Sequence, residues 1–390
     1  MLEAKVRPRP DNKLMSKPSS VMLAAGGTGG HLFPAFALAE ELQRRGLDVD
    51  LITDMRGDRY GSGFPARKVY QVPAATLASK SPLAAAQTAL ALARGTRAAH
   101  AIIGAVRPAV VVGFGGYPTF PPLMAARLRG VPTVLHEQNA VLGRANRMLA
   151  KRVTGIATSF ESTKYLDGDL TAKSRFTGNP VRQVVIDAAV KPYVASDSGD
   201  AFHLLVFGGS QGARFFSDAM PPALAKLPPE IKRRLIVTQQ ARDEDLDRVR
   251  SAYAANEISA DVAAFFKDLP SRMAAAQLVI GRAGASTVAE LTVVGRPGVL
   301  VPLPHALDND QLNNARRLEE SGGGWCIEQK DLTPERLSSE IARLMAAPET
   351  LAAAAEAAKR AGRPDAVARL ADFALEIAAR GLAGRTGSSA

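Results

Sequence analysis

One design occurs twice in this chain and limits what it can fold into. Val21-Met22-Leu23-Ala24-Ala25 is an apolar run the length of a buried strand. Gly26, Gly27, Gly29 and Gly30 follow, and from His31 apolar residues recur at helical spacing, with Leu38 and Leu42 on one face. Gly46 stands where a helix C-cap is expected. The glycines therefore form a strand-to-helix turn. Such a turn gathers bare backbone N–H groups and a helix N-terminus at one spot, which favours a bound anion, phosphate first. Phe207-Gly208-Gly209-Ser210-Gln211-Gly212 repeats the arrangement after the apolar run His203–Phe207. A doubly wound parallel sheet normally carries one such loop after its first strand, so two predict two Rossmann-like domains in tandem.

The rest of the chain agrees. Strand-like runs at Ala109–Val112, Thr133–Leu135, Leu235–Val237, Leu278–Ile280 and Val299–Val301 alternate with helical patterns, as in α/β sheets covered on both faces. Asn179-Pro180 marks a turn, and Ala195–Asp200 has linker composition. Expected boundaries are an N-terminal domain over 20–183, a linker over 184–200 and a C-terminal domain over 201–363, facing each other across a cleft. A basic, flexible extension is expected over 1–19, a helix over Asp365–Arg380 and a disordered tail over Gly387–Ala390.

The first loop matches neither common nucleotide motif. Counted from Gly27, the third glycine of a dinucleotide fingerprint would fall at Leu32, although Asp54 sits where a ribose-binding acid belongs. A P-loop lysine is also missing. The formal charge of +11 points to an anionic partner. Cys326 is the single cysteine, which excludes an intrachain disulfide and suits a reducing compartment. The five histidines are scattered, and no metal cluster is visible. The first residues lack the apolar core of a secretory signal, and no apolar run is long enough to span a bilayer. The Leu83–Ala93 stretch, flanked by Lys80, Arg94 and Arg97, reads as a helix packed on a sheet or as a surface helix touching lipid headgroups.

Further glycine turns follow strands at Gly113–Pro118 and Gly281–Thr287. The second adds Arg282 to a small-residue turn, a combination suited to a diphosphate. Thr287-Val288-Ala289-Glu290 also reads as a capping box, in which Glu290 merely caps a helix.

Six motifs occur in the order seen in the MurG family of GT-B-fold glycosyltransferases: Gly26–His31, Gly115–Tyr117, His136-Glu137-Gln138-Asn139, Thr177–Arg182, Gly208–Ala213 and Arg282–Thr287. The resemblance covers about residues 20 to 380. It implies inverting transfer of N-acetylglucosamine from UDP-GlcNAc to the C4 hydroxyl of MurNAc in lipid I, giving lipid II and UDP. It implies a peripheral enzyme on the cytoplasmic face of the bacterial inner membrane. It implies Thr28, Gly29, Gly30, Asn139, Arg182, Ser210, Phe266, Ala285, Ser286, Thr287, Val288, Ala289, Glu290 and Gln311 as donor contacts. Glu290 would hold ribose hydroxyls and Gln311 the sugar. Tyr117 and Asn139 would line the acceptor side. Asp310, just before Gln311, departs from some relatives. Association with other cell-wall enzymes is implied by the same resemblance alone, as is the return of the 365–380 helix onto the N-terminal domain.

The chemistry needs a base for the acceptor hydroxyl and stabilisation of charge on the departing UDP. Helix N-termini at the glycine loops, with Arg182 and Arg282, suit the second task without a metal or cofactor. Strings such as Asp308-Asn309-Asp310 would support a metal in a different transferase fold. His31, kept neutral by the helix N-terminus, is one candidate base, unless it only positions a ligand; Glu137 is the other, unless it serves as a structural carboxylate. Arg144, Arg147, Lys151 and Arg152 form a basic cluster, either a solvated face or a dock for anionic lipid. Two other enzyme readings keep the fold: a UDP-GlcNAc 2-epimerase and a diacylglycerol glycosyltransferase. A UDP-sugar-binding or nucleic-acid-binding module is the non-enzyme reading. The chain lacks basic runs interleaved with aromatics, which argues against nucleic acid.

Overall fold

In the computed structural model the described residues are 20–26, 29–54, 63–74, 82–197, 199–304 and 307–386. The expected 1–19 extension, Thr28 and the 387–390 tail lie outside them. The N-terminal sheet contains β1 (Ser20–Ala24), β2 (Asp48–Thr53), β3 (Lys68–Gln71), β4 (Val110–Gly113), β5 (Thr133–Glu137), β6 (Gly155–Thr158) and β7 (Ser174–Phe176), in the order β3-β2-β1-β4-β5-β6-β7. The second sheet contains β8 (Phe202–Phe207), β9 (Leu235–Gln240), β10 (Ser259–Ala263), β11 (Leu278–Gly281), β12 (Gly298–Leu300) and β13 (Gly324–Cys326), in the order β10-β9-β8-β11-β12-β13. Neighbouring strands pair in parallel throughout both sheets. In each, the order reverses beside the first strand, at β1/β4 and β8/β11. Ligands of such sheets bind outside the strand ends at this switch point, which is where both glycine strings lie.

The helices used below are α1 (Gly29–Arg44), α2 (Pro82–Val106), α3 (Phe120–Leu128), α4 (Arg144–Ala150), α5 (Gln183–Ala188), α6 (Gly209–Ala225), α7 (Ala285–Val294), α8 (Asp310–Glu320) and α9 (Ala366–Thr386). Side chains alternate across each sheet. Val21 and Leu23 of β1 enter one core with Leu38 of α1, whereas Met22 and Ala24 enter the other with Ile103 of α2. Leu204 and Leu205 of β8 split in the same way between the two C-terminal cores. Burial on both faces is why these strands read as continuous apolar runs.

Helix α9 follows the C-terminal domain in the chain yet packs on the N-terminal one. Leu370, Phe373, Ala374 and Ile377 complete the core beside α1. Burying each larger side chain contributes about 1.5–3 kcal/mol. A Cβ on Gly155 of β6 would lie 2.7 Å from the Phe373 ring, so glycine permits this approach. Arg45–Asp372 and Arg175–Glu376 pairs flank the contact.

The expected linker over 184–200 packs on the second domain. Val181 and Val185 are buried in a C-terminal core, with Ile186 and Ala189 packed against it. Arg296 then holds the backbone carbonyls of Lys191 and Pro192 at 3.0 and 3.2 Å. The apolar residues ahead of the 195–200 stretch bind the segment to the second domain.

Candidate active site

Helix α1 begins inside the first glycine string, and its first turn carries His31. The ring is half-buried, with Nδ1 3.1 Å from Gln138 Oε1. Gly116, at φ 72°, passes so close that a Cβ there would lie 3.2 Å from His31 Nε2. Burial lowers the His31 pKa below its usual 6.5, while hydrogen bonds to Gln138 and the Phe114 backbone pull it back up. Desolvation is therefore the largest effect on the ring, and it acts in the same direction as the helix N-terminus expected to favour the neutral form.

Glu137 ends β5 and is 1% exposed. Its Oε1 accepts from Asn139 N at 2.9 Å and Asn139 Nδ2 at 3.2 Å; Oε2 accepts from Gly143 N at 2.9 Å and Asn146 Nδ2 at 2.6 Å. Burial raises its pKa and these donors oppose the rise. With both oxygens occupied, Glu137 organises the 138–146 turn, which disfavours it as the base. The Asn139 side chain is committed as well. Its Oδ1 accepts from Asn314 Nδ2 at 3.0 Å, and Asn314 also donates to Ala283 O at 3.1 Å and accepts from Ala140 N at 2.8 Å. Asn314, fully buried on α8, thus joins a loop of one domain to a loop of the other. No local pattern singled it out.

Helix α7 faces α1 across the cleft. Ser286 Oγ lies 3.5 Å from Gly30 O, so the N-termini of both helices border the same space. Gly284 is the N-cap and makes no side-chain cap, which places Thr287 within the helix. The capping-box reading of Thr287 and Glu290 is therefore overturned. Glu290 turns instead to Arg182, with Oε1 3.4 Å from Nη2, and the Arg182 guanidinium stacks on Phe33 at 4.5 Å. Burial raises the Glu290 pKa, and Arg182 opposes the rise. Around the helix, Ala285, Val288, Ala289 and Thr292 line an interdomain cavity of about 320 Å³ shared with Gln138 and Asn179.

Ser210 stands in the first turn of α6. Tyr117 opens the short turn after β4 and is half-buried. Phe266 is buried beneath the Arg272 guanidinium at 4.3 Å. Gln311 Oε1 accepts from Leu303 N at 3.0 Å, and Asp310 accepts the Gln311 amide at 2.8 Å at the start of α8. Burial raises the Asp310 pKa.

Two sets of expected cations are engaged by protein groups. Arg282 was expected on a diphosphate, but its Nη1 donates to Val301 O and Pro302 O, its Nη2 donates to Gln329 Oε1, and Phe215 and Phe216 flank it. Burial lowers its pKa to about 10. It braces the strand ends of its own domain. Arg144 and Arg147 of α4 both reach Asp308 of the other domain, at 3.4 and 2.9 Å. Half of the basic cluster, read as a solvated face or a lipid dock, therefore bridges the cleft, while Arg144, Lys151 and Arg152 are exposed.

Residues 21–158 match the glycosyltransferase family 28 N-terminal domain, and residues 203–370 match the glycosyltransferase family 28 C-terminal domain. A Mesorhizobium japonicum protein named UDP-N-acetylglucosamine--N-acetylmuramyl-(pentapeptide) pyrophosphoryl-undecaprenol N-acetylglucosamine transferase is 54% identical over 92% of this chain and 96% of its own. A Rhodopseudomonas palustris protein of the same name is 52% identical over 93% of this chain and 100% of its own. The crystal structure of Acinetobacter baumannii MurG has a TM-score of 0.75 at 28% identity, covering 92% of this chain and 100% of that one. The chain belongs to the MurG family. It has the GT-B fold of that family, with two parallel-sheet domains and an intervening cleft. A UDP-GlcNAc 2-epimerase from Neisseria meningitidis, at 12% identity and a TM-score of 0.64, shares the fold alone. Within the MurG-family frame, His31, Arg182, Ser286 and Glu290 converge on one cleft, whereas Arg282 and Glu137 are held by their own domains.

Proposed function

We infer that this chain transfers N-acetylglucosamine from UDP-GlcNAc to the C4 hydroxyl of MurNAc in lipid I, releasing UDP and lipid II. The observation that carries this reading is 54% identity over 92% of the chain to a transferase of that name. The site geometry fits it. His31 acts as the base on the acceptor hydroxyl, since burial keeps it neutral near pH 7. The N-termini of α6 and α7 stabilise the negative charge that builds on UDP. Glu290 receives the ribose hydroxyls and Arg182 stands beside the donor; their mutual contact gives way to the ligand. Asn139 and Tyr117 border the acceptor side, and Phe266 and Gln311 the donor side. No step is assigned to a metal.

The test is UDP release from UDP-GlcNAc with and without a soluble lipid I analogue, in EDTA. Acceptor-dependent release is expected. Release without acceptor moves weight to hydrolysis or to the epimerase reading. Recovery that requires Mg²⁺ defeats the metal-free account.

Peripheral attachment to an anionic membrane is part of this reading. Among the described residues no helix is long and apolar enough to cross a membrane. Helices α2 and α3 border an apolar groove lined by Leu92, Ala93, Phe120, Met124 and Leu128, with Leu90 52% exposed and Leu128 66% exposed. Arg94 and Arg97 lie exposed beside it. A basic residue near an anionic surface contributes about 1 kcal/mol. Reversing both to glutamate should lower partitioning onto anionic vesicles by at least about tenfold, read by sedimentation. Unchanged partitioning would move the docking face elsewhere.

A further inference from the structure

We propose that Gln138 and His136 form a directional hydrogen-bond chain that fixes the tautomer of His31, leaving Nε2 as the nitrogen that takes the acceptor proton. This deepens the transferase reading and rests on His31 being its base. The direction follows from two anchors that can only accept. Gln138 Nε2 lies 3.1 Å from the His136 carbonyl, which orients the amide with its nitrogen towards His136. Its oxygen then faces His31 Nδ1 at 3.1 Å, so that nitrogen carries the hydrogen. The second anchor is the Gly178 carbonyl, 3.1 Å from His136 Nε2. His136 must donate there, which leaves its Nδ1 as acceptor for Gln138 Nε2 at 2.9 Å. Both anchors demand the same polarity, and the amide and imidazole orientations are assigned from this network.

The chain is built to hold its direction. Gln138 is 2% exposed and His136 is fully buried. The His136 ring lies 5.6 Å from Phe114, and burial pushes its pKa down to about 4, so it stays neutral over the working range. Other catalytic imidazoles are commonly oriented by a carboxylate. A neutral amide orients this one without raising its basicity as far. Titratable groups on the elements around the ring are His136 and Glu137 of β5, Tyr117 after β4 and, across the cleft, Glu290 paired with Arg182. The Phe114 backbone also favours the protonated ring.

The test begins without a variant. Two-bond ¹H–¹⁵N spectra of ¹⁵N-histidine-labelled protein should show His31 protonated at Nδ1 and His136 at Nε2 near pH 7.5. An Nε2–H tautomer at His31 would overturn the proposal whatever the base is. Gln138→Met should lower kcat by about 10–100-fold, with the KM for UDP-GlcNAc within about twofold, and the His31 signals should show mixed tautomers. Gln138→Glu keeps an acceptor for Nδ1 and adds a charge, so the acid limb of kcat should move up by about one pH unit or more. Acid limbs unchanged in both variants, with loss confined to thermal stability, would reduce Gln138 to packing. If His31→Ala retains activity while the tautomers are as stated, the base assignment fails and the hydrogen-bond chain stands.

Discussion

His31→Ala is expected to lower kcat by about 10²–10⁴-fold, the range for loss of a general base. The KM for UDP-GlcNAc should change little, because the donor's charged contacts are assigned to helix N-termini and Arg182. The pH profile supplies an independent check. Because burial places the His31 pKa below 6.5, the base is free above that lowered value and protonated below it. The acid limb of wild-type kcat/KM should therefore have its midpoint below pH 6.5. The variant should lose that acid limb. Activity within about threefold of wild type would leave the proton to another acceptor.

Arg296→Met should destabilise the C-terminal domain by about 3–5 kcal/mol. The residue is 2% exposed. Its guanidinium donates to the carbonyls of Val294, Gly295, Lys191 and Pro192, and twice to Ala274. Methionine fills much of the volume but leaves these carbonyls without their donor in a dry interior. It also releases the 189–197 segment. Thermal scanning should show the C-terminal transition lowered by on the order of 10 °C, with the N-terminal core nearly unaffected. A shift below about 3 °C would mean that water replaces the lost donors.

Short edge strands were the least legible elements. Lys68–Gln71 and Ser174–Phe176 flank the N-terminal sheet, are largely accessible and contain polar residues. Their strand character comes from pairing with β2 and β6. The central strands were readable because both of their faces are buried. Among the candidate site residues, the placement of His31 at the start of a helix after a glycine turn was readable from the sequence. Asn314 was not, since an asparagine in a polar helical stretch signals nothing until Asn139, Ala140 and Ala283 surround it.

Arg282 and Arg182 show where local reading stops. Both lie in strings that resemble family motifs, yet Arg182 pairs with Glu290 whereas Arg282 is held by carbonyls and Gln329 of its own domain. Phe215 and Phe216 of α6 enclose Arg282, and nothing adjacent in sequence announces them. Likewise, Asp308 makes Arg144 and Arg147, read from the sequence as a solvated face or a lipid dock, an interdomain bridge.

The two glycine-bearing strand-to-helix turns, the paired Rossmann-like domains and the position of His31 were determined by the sequence itself. They depend on periodicity and backbone freedom within a few dozen residues. The destination of each long charged side chain, the saturation of Glu137 and the polarity imposed on His31 were decided only by the tertiary structure. A guanidinium, carboxylate or imidazole takes its role from the donors, acceptors and desolvation around it, and most of those partners come from distant parts of the chain.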